Sequence, residues 1–368
     1  MNAMDPKGSL AKGAMTAEAG YRRGGALKTE TVTMAHGGGG KAMRDLIDDV
    51  FVAAFDNPDM GDMEDQARLT PPPELLAAGG RLAFTTDGFV VDPLEFPGGN
   101  IGDLAVNGTV NDLAVGGAQP LWLSCGMIIE EGIDVGLLRH VAATMRAAAD
   151  RAGVKIVTGD TKVVDKGSAD KLFITTAGVG VIPPGRNLAA RQVLPGDVAL
   201  VNGYLGDHGA AILNARGDMA LESPVESDCA PLNGLMEAVL HAAPSVRCAR
   251  DATRGGLASS LNEIAAVSGC GIALDETELP VRAEVRGFCE ILGLDPLYLA
   301  NEGTLVLFCA PEEADAALAA MRALPEGREA RIIGRAVSDH PKQVVMKTLF
   351  GGGRRLDMLS GEQLPRIC

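Results

Sequence analysis

Met43, Leu46, Ile47, Val50, Phe51 and Ala54 recur three and four residues apart, the spacing of one buried helical face, and predict an amphipathic helix beginning near Lys41. Leu138, Val141, Ala142 and Met145 form a second such stripe and predict a helix over residues 135–149. Residues 57–80, rich in Pro, Asp and Gly, read as a loop. Short apolar runs bounded by turn residues predict strands at 82–86, 121–129, 155–158 and 173–182.

Pro183-Pro184-Gly185-Arg186 is the clearest break in this pattern and marks a domain boundary. Beyond it the spacing predicts a strand at 198–202, a turn over 203–209, a helix at 232–242 and a strand at 246–249. A helix at 256–267, a strand at 304–309 and a helix at 312–324 follow. Strands and helices mix without regular βα alternation, which predicts an α+β fold. Four parts result: a disordered leader over 1–30, domains over 31–183 and 184–350, and a flexible tail over 351–368.

Composition narrows the function more than the fold. The 368 residues suffice for two cores, and a 4% aromatic content makes those cores aliphatic. A formal net charge of -15 with no basic stripe opposes nucleic acid or anionic lipid as a partner. No apolar run approaches the roughly 20 residues of a membrane span. The seven cysteines stand singly, without a CxxC pair or zinc-site spacing, and read as reduced and cytoplasmic.

Several motifs offer chemistry, each beside a plainer structural use. Asp87, Asp112 and Asp160 are hard oxygen donors that, brought together, would hold Mg²⁺ against polyphosphate; singly, each is far more often a turn former or helix cap. His36-Gly37-Gly38-Gly39-Gly40-Lys41 places glycines at a helix start, where phosphate is attracted, or is a mobile hinge. It is not a Walker A loop, because the spacing fails and Ala42 replaces the hydroxyl residue. Gly206-Asp207-His208-Gly209 and Asp251-Ala252-Thr253-Arg254-Gly255-Gly256 precede helices as phosphate or structural turns, with His208 a hydrogen-bonding loop residue. Glu302, in Asn301-Glu302-Gly303, is a general base or a turn carboxylate.

The last residue is Cys368, after Leu364-Pro365-Arg366-Ile367. Glycines 351–353 upstream and the fixed φ of Pro365 make a flexible approach and an extended tip, the build of a carrier arm; the alternative is an exposed thiol without a role.

Read in order, His36 to Lys41, Thr85-Thr86-Asp87, Gly108 to Ala114, Thr158-Gly159-Asp160-Thr161-Lys162, the 206–209 and 251–256 turns, Asn301 to Thr304 and the terminal Pro-Arg-Ile-Cys resemble the HypE family of hydrogenase maturation factors. The resemblance runs from about His36 to the end. It implies the two-domain fold of ATP-dependent enzymes like aminoimidazole ribonucleotide (AIR) synthase: an N-terminal α/β domain that dimerises through its sheet and a C-terminal α+β domain. It implies that Cys368 receives a carbamoyl group from the carbamoyltransferase HypF and that ATP drives its dehydration to an S-cyanate. The cyano group then passes to iron on a HypC–HypD scaffold, supplying the cyanide ligands of [NiFe] hydrogenase. His36, Gly38, Gly39, Gly40, Lys41, Asp87, Asn111, Asp112, Asp160 and Thr161 are the implied nucleotide contacts. Asp87, Asp112 and Asp160 are the expected Mg²⁺ ligands, and Lys162 and Glu302 the expected contacts to the carboxamide nitrogen.

Gly88 stands where the family carries a small hydroxyl residue, and the segment before Thr31 has no counterpart. Rival readings are another ATP-dependent kinase or synthetase of the superfamily and a non-enzymatic thiol or metal chaperone. A selenophosphate synthetase is disfavoured because its reactive residue lies near the N-terminus, whereas the first cysteine here is Cys125.

Overall fold

A computed structural model of the protein describes residues 27–38, 41–60, 69–73, 79–217, 224–359 and 366–368. The expected contacts Gly39 and Gly40, and most of the expected leader, lie outside the described residues. Within the leader's expected span, Leu27 donates its N–H to Asp49 at 2.9 Å and the Glu30 carbonyl accepts from Val135, so residues 27–30 pack on the first domain.

The first domain is a four-stranded sheet in the order β1-β6-β4-β5, made of β1 (Arg81–Phe89), β4 (Gln119–Glu130), β5 (Lys155–Val164) and β6 (Leu172–Ile182). A two-stranded ribbon, β2 (Glu95–Phe96) and β3 (Gly99–Asn100), precedes its central helix. The expected helix near Lys41 is α1 (Lys41–Leu46), which continues through a π-helical turn (Ile47–Val52) to Ala53–Phe55. Behind the sheet lie α2 (Ile101–Val115) and α3 (Val135–Ala152). Asp134 caps α3 by accepting from Leu137 N–H, and Gly153, at φ 70°, ends it.

Helix α2 was not legible as a helix, because nearly all of it is buried and it lacks a polar stripe. One side packs under the sheet, and its end, at Ala114 and Val115, joins the core of the second domain. Gly108 allows β1 to approach, since a Cβ there would stand 2.9 Å from the Phe89 ring.

The second domain holds a seven-stranded sheet in the order β13-β12-β9-β11-β7-β10-β8. Its strands are β7 (Val198–Val201), β8 (Cys248–Asp251), β9 (Gly271–Asp275), β10 (Leu305–Cys309), β11 (Arg331–Val337), β12 (Val344–Lys347) and β13 (Gly353–Leu356). Its helices are α4 (Asp207–Arg216), α5 (Asn233–Ala242), α6 (Gly256–Ser268), α7 (Ala283–Leu292) and α8 (Ala314–Arg322). The expected α+β class is the observed one. Two local expectations are corrected: the turn over 203–209 already enters α4, and the tail expected to be flexible from 351 first forms β13, paired antiparallel with β12.

Candidate active site

Strand β1 carries Asp87 and α2 carries Asp112 beneath it, and Thr85 donates its hydroxyl to Asp112 at 2.8 Å. Asp251 closes β8 across the domain junction. Burial raises the pKa of Asp112, with the charge of Asp87 adding to it. Burial, then the Asp112 charge, pushes Asp251 up to about 6. Asp112 and Asp251, both raised by burial and by neighbouring carboxylate charge, stand with Asp87 in a site short of positive charge.

The turn after Asp251 supplies part of that charge. Arg254 stands 3.9 Å from Asp87, and Gly255, the cap of α6, and Gly256, its first residue, adopt positive φ. Only glycine fits at 256, because a Cβ there would sit 2.5 Å from the carbonyl oxygens of Leu297 and Leu299. The α6 N-terminus thus faces a cavity of about 510 Å³ lined by Gly88, Arg254, Ser259, Tyr298 and Cys368. The open space around Gly88 would accept a small hydroxyl side chain.

Glu302 and Cys368 meet here. The Cys368 thiol is hydrogen-bonded to the Glu302 carboxylate. Burial, then the charges of Asp228 and Asp251, holds the Glu302 pKa well above the usual carboxylate range. Burial and then the Glu302 charge raise the thiol, and Arg254 offsets part of this. Both groups are thus shifted toward their protonated forms. Glu302 Oε1 is buried and has no hydrogen-bond partner.

The backbone around Glu302 is fixed by Asp228, which lies outside the sequence-based set, and by Asn111, which lies within it. Asp228 accepts from the N–H groups of Glu302 at 2.9 Å and Gly303 at 3.0 Å and from the Thr304 hydroxyl at 2.9 Å. Gly303 permits this, since a Cβ there would fall 1.8 Å from the Asp228 carbonyl oxygen. Asn111, expected to contact nucleotide, instead joins the domains: its Nδ2 donates to the carbonyls of Ala230 at 3.0 Å and Glu302 at 3.3 Å, and its Oδ1 accepts from Leu232 N–H at 2.7 Å.

Asp160 does not join Asp87 and Asp112 within one chain. It lies on β5, at the sheet edge opposite β1, three strand spacings or roughly 14 Å away across the sheet. There it pairs with Lys162 at 2.9 Å, and that hydrogen bond lowers its pKa. Lys162 is therefore also remote from Glu302 in the same chain. Thr161 N–H donates to Asp160 at 2.8 Å. Gly38 follows the short helical turn at 34–37, and Lys41 pairs with Asp45. The buried His36 ring is spent locally: Nδ1 accepts from Thr33 N–H at 2.9 Å, and Nε2 faces the Thr29 hydroxyl at 3.4 Å. Among the described residues, no group of three His, Cys, Asp or Glu side chains has the geometry of a metal cage.

Sequence reading missed Asp228, His208 as a site residue, and Asp251 with Arg254 as partners of Asp87. The 206–209 and 251–256 turns carried a local signal, and it left phosphate and structural roles open; Asp228 carried none.

Residues 64–182 match the family model described as AIR synthase related protein, N-terminal domain, and residues 195–347 match its C-terminal counterpart. The carbamoyl dehydratase HypE of Rhodobacter capsulatus is 66% identical over 343 residues, covering 93% of this chain and 100% of that protein. The crystal structure of a hydrogenase maturation protein HypE in complex with ATP superposes with a TM-score of 0.87 at 48% identity, covering 92% of this chain and all of that one. A HypE–HypF complex matches with a TM-score of 0.74 at 45% identity, covering 85% of this chain and 99% of that one.

Proposed function

We propose, for a chain that belongs to the HypE family of carbamoyl dehydratases, that Cys368 carries the substrate and that ATP removes water from it in place. The observation that carries the reading is the terminal thiol hydrogen-bonded to a buried carboxylate with one oxygen unpartnered, close enough to Asp87 and Asp251 for their charges to act on it.

The substrate is the S-carboxamide of Cys368, loaded by the carbamoyltransferase HypF. Its amide oxygen attacks the γ-phosphorus of ATP, the bond to ADP breaks, the nitrogen gives up its first proton, and the oxygen becomes a phosphate ester of an imidic acid. The nitrogen then loses its remaining proton as the C–O bond breaks, giving an S-cyanate, inorganic phosphate and ADP. The oxygen of the lost water leaves in phosphate. Glu302 accepts a proton from nitrogen, and its raised proton affinity suits it to that step once ionised. Arg254 and the α6 N-terminus offset phosphate charge. Mg²⁺ binds through one or two carboxylates plus phosphate rather than an all-protein cage, which fits Asp87 and Asp112 with Asp251 nearby; when bound it neutralises phosphoryl charge. The cyano group passes to iron on a HypC–HypD scaffold, and the chain works in the cytoplasm, where reducing conditions keep the thiol free.

Lys162 reaches such a site from a second copy. The outer face of the first sheet leaves Phe84 73% and Leu82 63% exposed, with Ile128 also open, an apolar surface that pairing in a homodimer would cover. A two-fold axis along the strands stacks the β1 edge of one copy on the β5 edge of the other, so Lys162 and Asp160 of one serve Cys368 of the other. Mixing Lys162→Ala with Glu302→Gln protein tests this. Random exchange makes half the dimers mixed, each with one intact site, so activity returns to about a quarter of wild type. No recovery in proven mixed dimers removes Lys162 from the shared site. The dehydration itself is read on the C-terminal peptide: a carbamoyl adduct on Cys368 that loses water only with hydrolysable ATP is expected, and an adduct that never loses water defeats the reading.

A further inference from the structure

We propose that His208 is a positioning residue that seats the C-terminal tail by donating its Nε2–H to the carbonyl of Ile367, and so sets where the Cys368 sulfur lies. The reading rests on Cys368 as the carrier. His208 stands in the first turn of α4, wholly buried, with Nε2 2.8 Å from the Ile367 carbonyl oxygen and Nδ1 2.8 Å from Ser227 Oγ. The Ile367 carbonyl can only accept, so the neutral ring carries its proton on Nε2 and Nδ1 accepts from the Ser227 hydroxyl, whose oxygen also accepts from Cys229 N–H at 3.1 Å. The ring proton thus faces the tail. Phe96 holds the ring edge-on at 5.5 Å between centroids.

The far end of the same helix grips the preceding peptide. Arg216 donates from Nη2 to the Arg366 carbonyl at 2.8 Å and from Nε to the Asp92 carbonyl at 2.9 Å, while Asp92 N–H donates to the Arg366 carbonyl at 3.2 Å. Val91 bridges Ile367, whose side chain is buried in the first domain's core. Two successive carbonyls are thus held from the two ends of α4, one residue short of the reactive sulfur. A buried histidine with a merely local role would bond within its own neighbourhood; this one spends its donor on a residue 159 positions away, in the segment that must leave to be loaded. Burial lowers its pKa to about 4, so the ring stays neutral and the tautomer holds at working pH.

The test reads seating and chemistry separately in the full-length protein. In His208→Ala, alkylation of unloaded Cys368 by iodoacetamide is expected to rise about tenfold, and single-turnover dehydration of the carbamoylated protein to fall about tenfold with the KM for ATP unchanged. His208→Gln, which places an N–H near the Nε2 position, is expected to restore both. Arg216→Ala is expected to raise alkylation about threefold. Alkylation does not depend on dehydration, so a failed latch and a failed carrier reading are distinguishable. A folded His208→Ala protein with wild-type alkylation, or a His208→Gln protein as impaired as the alanine variant, overturns the proposal. Should His208→Ala not fold, ¹⁵N-histidine spectra decide: the His208 Nε2–H resonance is expected to move when the chain ends at Arg366, and an unmoved resonance overturns it.

Discussion

Carboxylates near the two edges of the first sheet stand in opposite states. At the β5 edge Asp160 is exposed, paired with Lys162 and lowered in pKa, its charge balanced on the spot. Across the junction from the β1 edge Glu302 is buried, has one oxygen without a partner and is raised in pKa by burial and by neighbouring carboxylates. Satisfied charges make a stable surface, whereas an unsatisfied buried carboxylate persists only where a rigid surround prevents relaxation. That surround is the Asp228 cradle and the Asn111 bridge, and it suits the base role proposed for Glu302.

The sharpest way to break this contrast is Glu302→Gln, which preserves shape and removes the base. Dehydration of carbamoylated Cys368 is expected to fall about 10³-fold with loading by HypF unchanged, read by peptide mass over time. A loss under about tenfold would return Glu302 to a structural role. Asp228→Ala attacks the cradle instead: two backbone N–H groups and a hydroxyl lose their acceptor, and the midpoint of denaturant unfolding is expected to fall by the equivalent of about 3 kcal/mol.

Asp251 sharpens the contrast through pH. Its folded pKa, pushed up from 3.8 to about 6, means the fold favours the protonated form. Its stabilising contribution is therefore complete below the unfolded value and disappears as pH rises through about 6. Wild type minus Asp251→Asn is expected to lose up to about 3 kcal/mol of stability between about pH 4 and pH 8, measured by unfolding in the absence of nucleotide. A flat difference would remove the strain assigned to the three-carboxylate cluster. The smallest effect belongs to the β5 edge: Asp160→Asn is expected to change stability by less than about 1 kcal/mol, as exposed ion pairs do. A larger loss on dilution into monomers would tie Asp160 to the interface between copies.

Helices α1 and α3 were legible because one side of each is apolar and the other polar, and their spacing records it. Helix α2, buried all round and built of small residues such as Asn107, Gly108 and Thr109, has no such contrast. Strand ends misled in a consequential way. The predicted strand at 155–158 runs to Val164, so Asp160 and Lys162 lie within an edge strand rather than in a loop free to curl toward Asp87. The motifs containing Glu302, Cys368, Asp87 and Asp112 named groups that the fold assembles around one junction. His36 and Asn111 have equally suitable chemistry, but Thr33 and the Ala230–Leu232 segment consume their donors and acceptors. Which polar group is already spent is decided by distant chain segments, as with Asp228, 74 residues before the backbone it holds.

The Asn111 amide has a mechanical consequence. It is bonded at both ends across the two domains, beside Ala114 and Val115, which sit in the second domain's core. Swinging the domains apart would strand these buried polar atoms and expose that apolar contact at the same moment. The halves are therefore expected to melt in a single cooperative transition, and traffic between loading, dehydration and delivery falls to the chain end alone, a crane working from a fixed base.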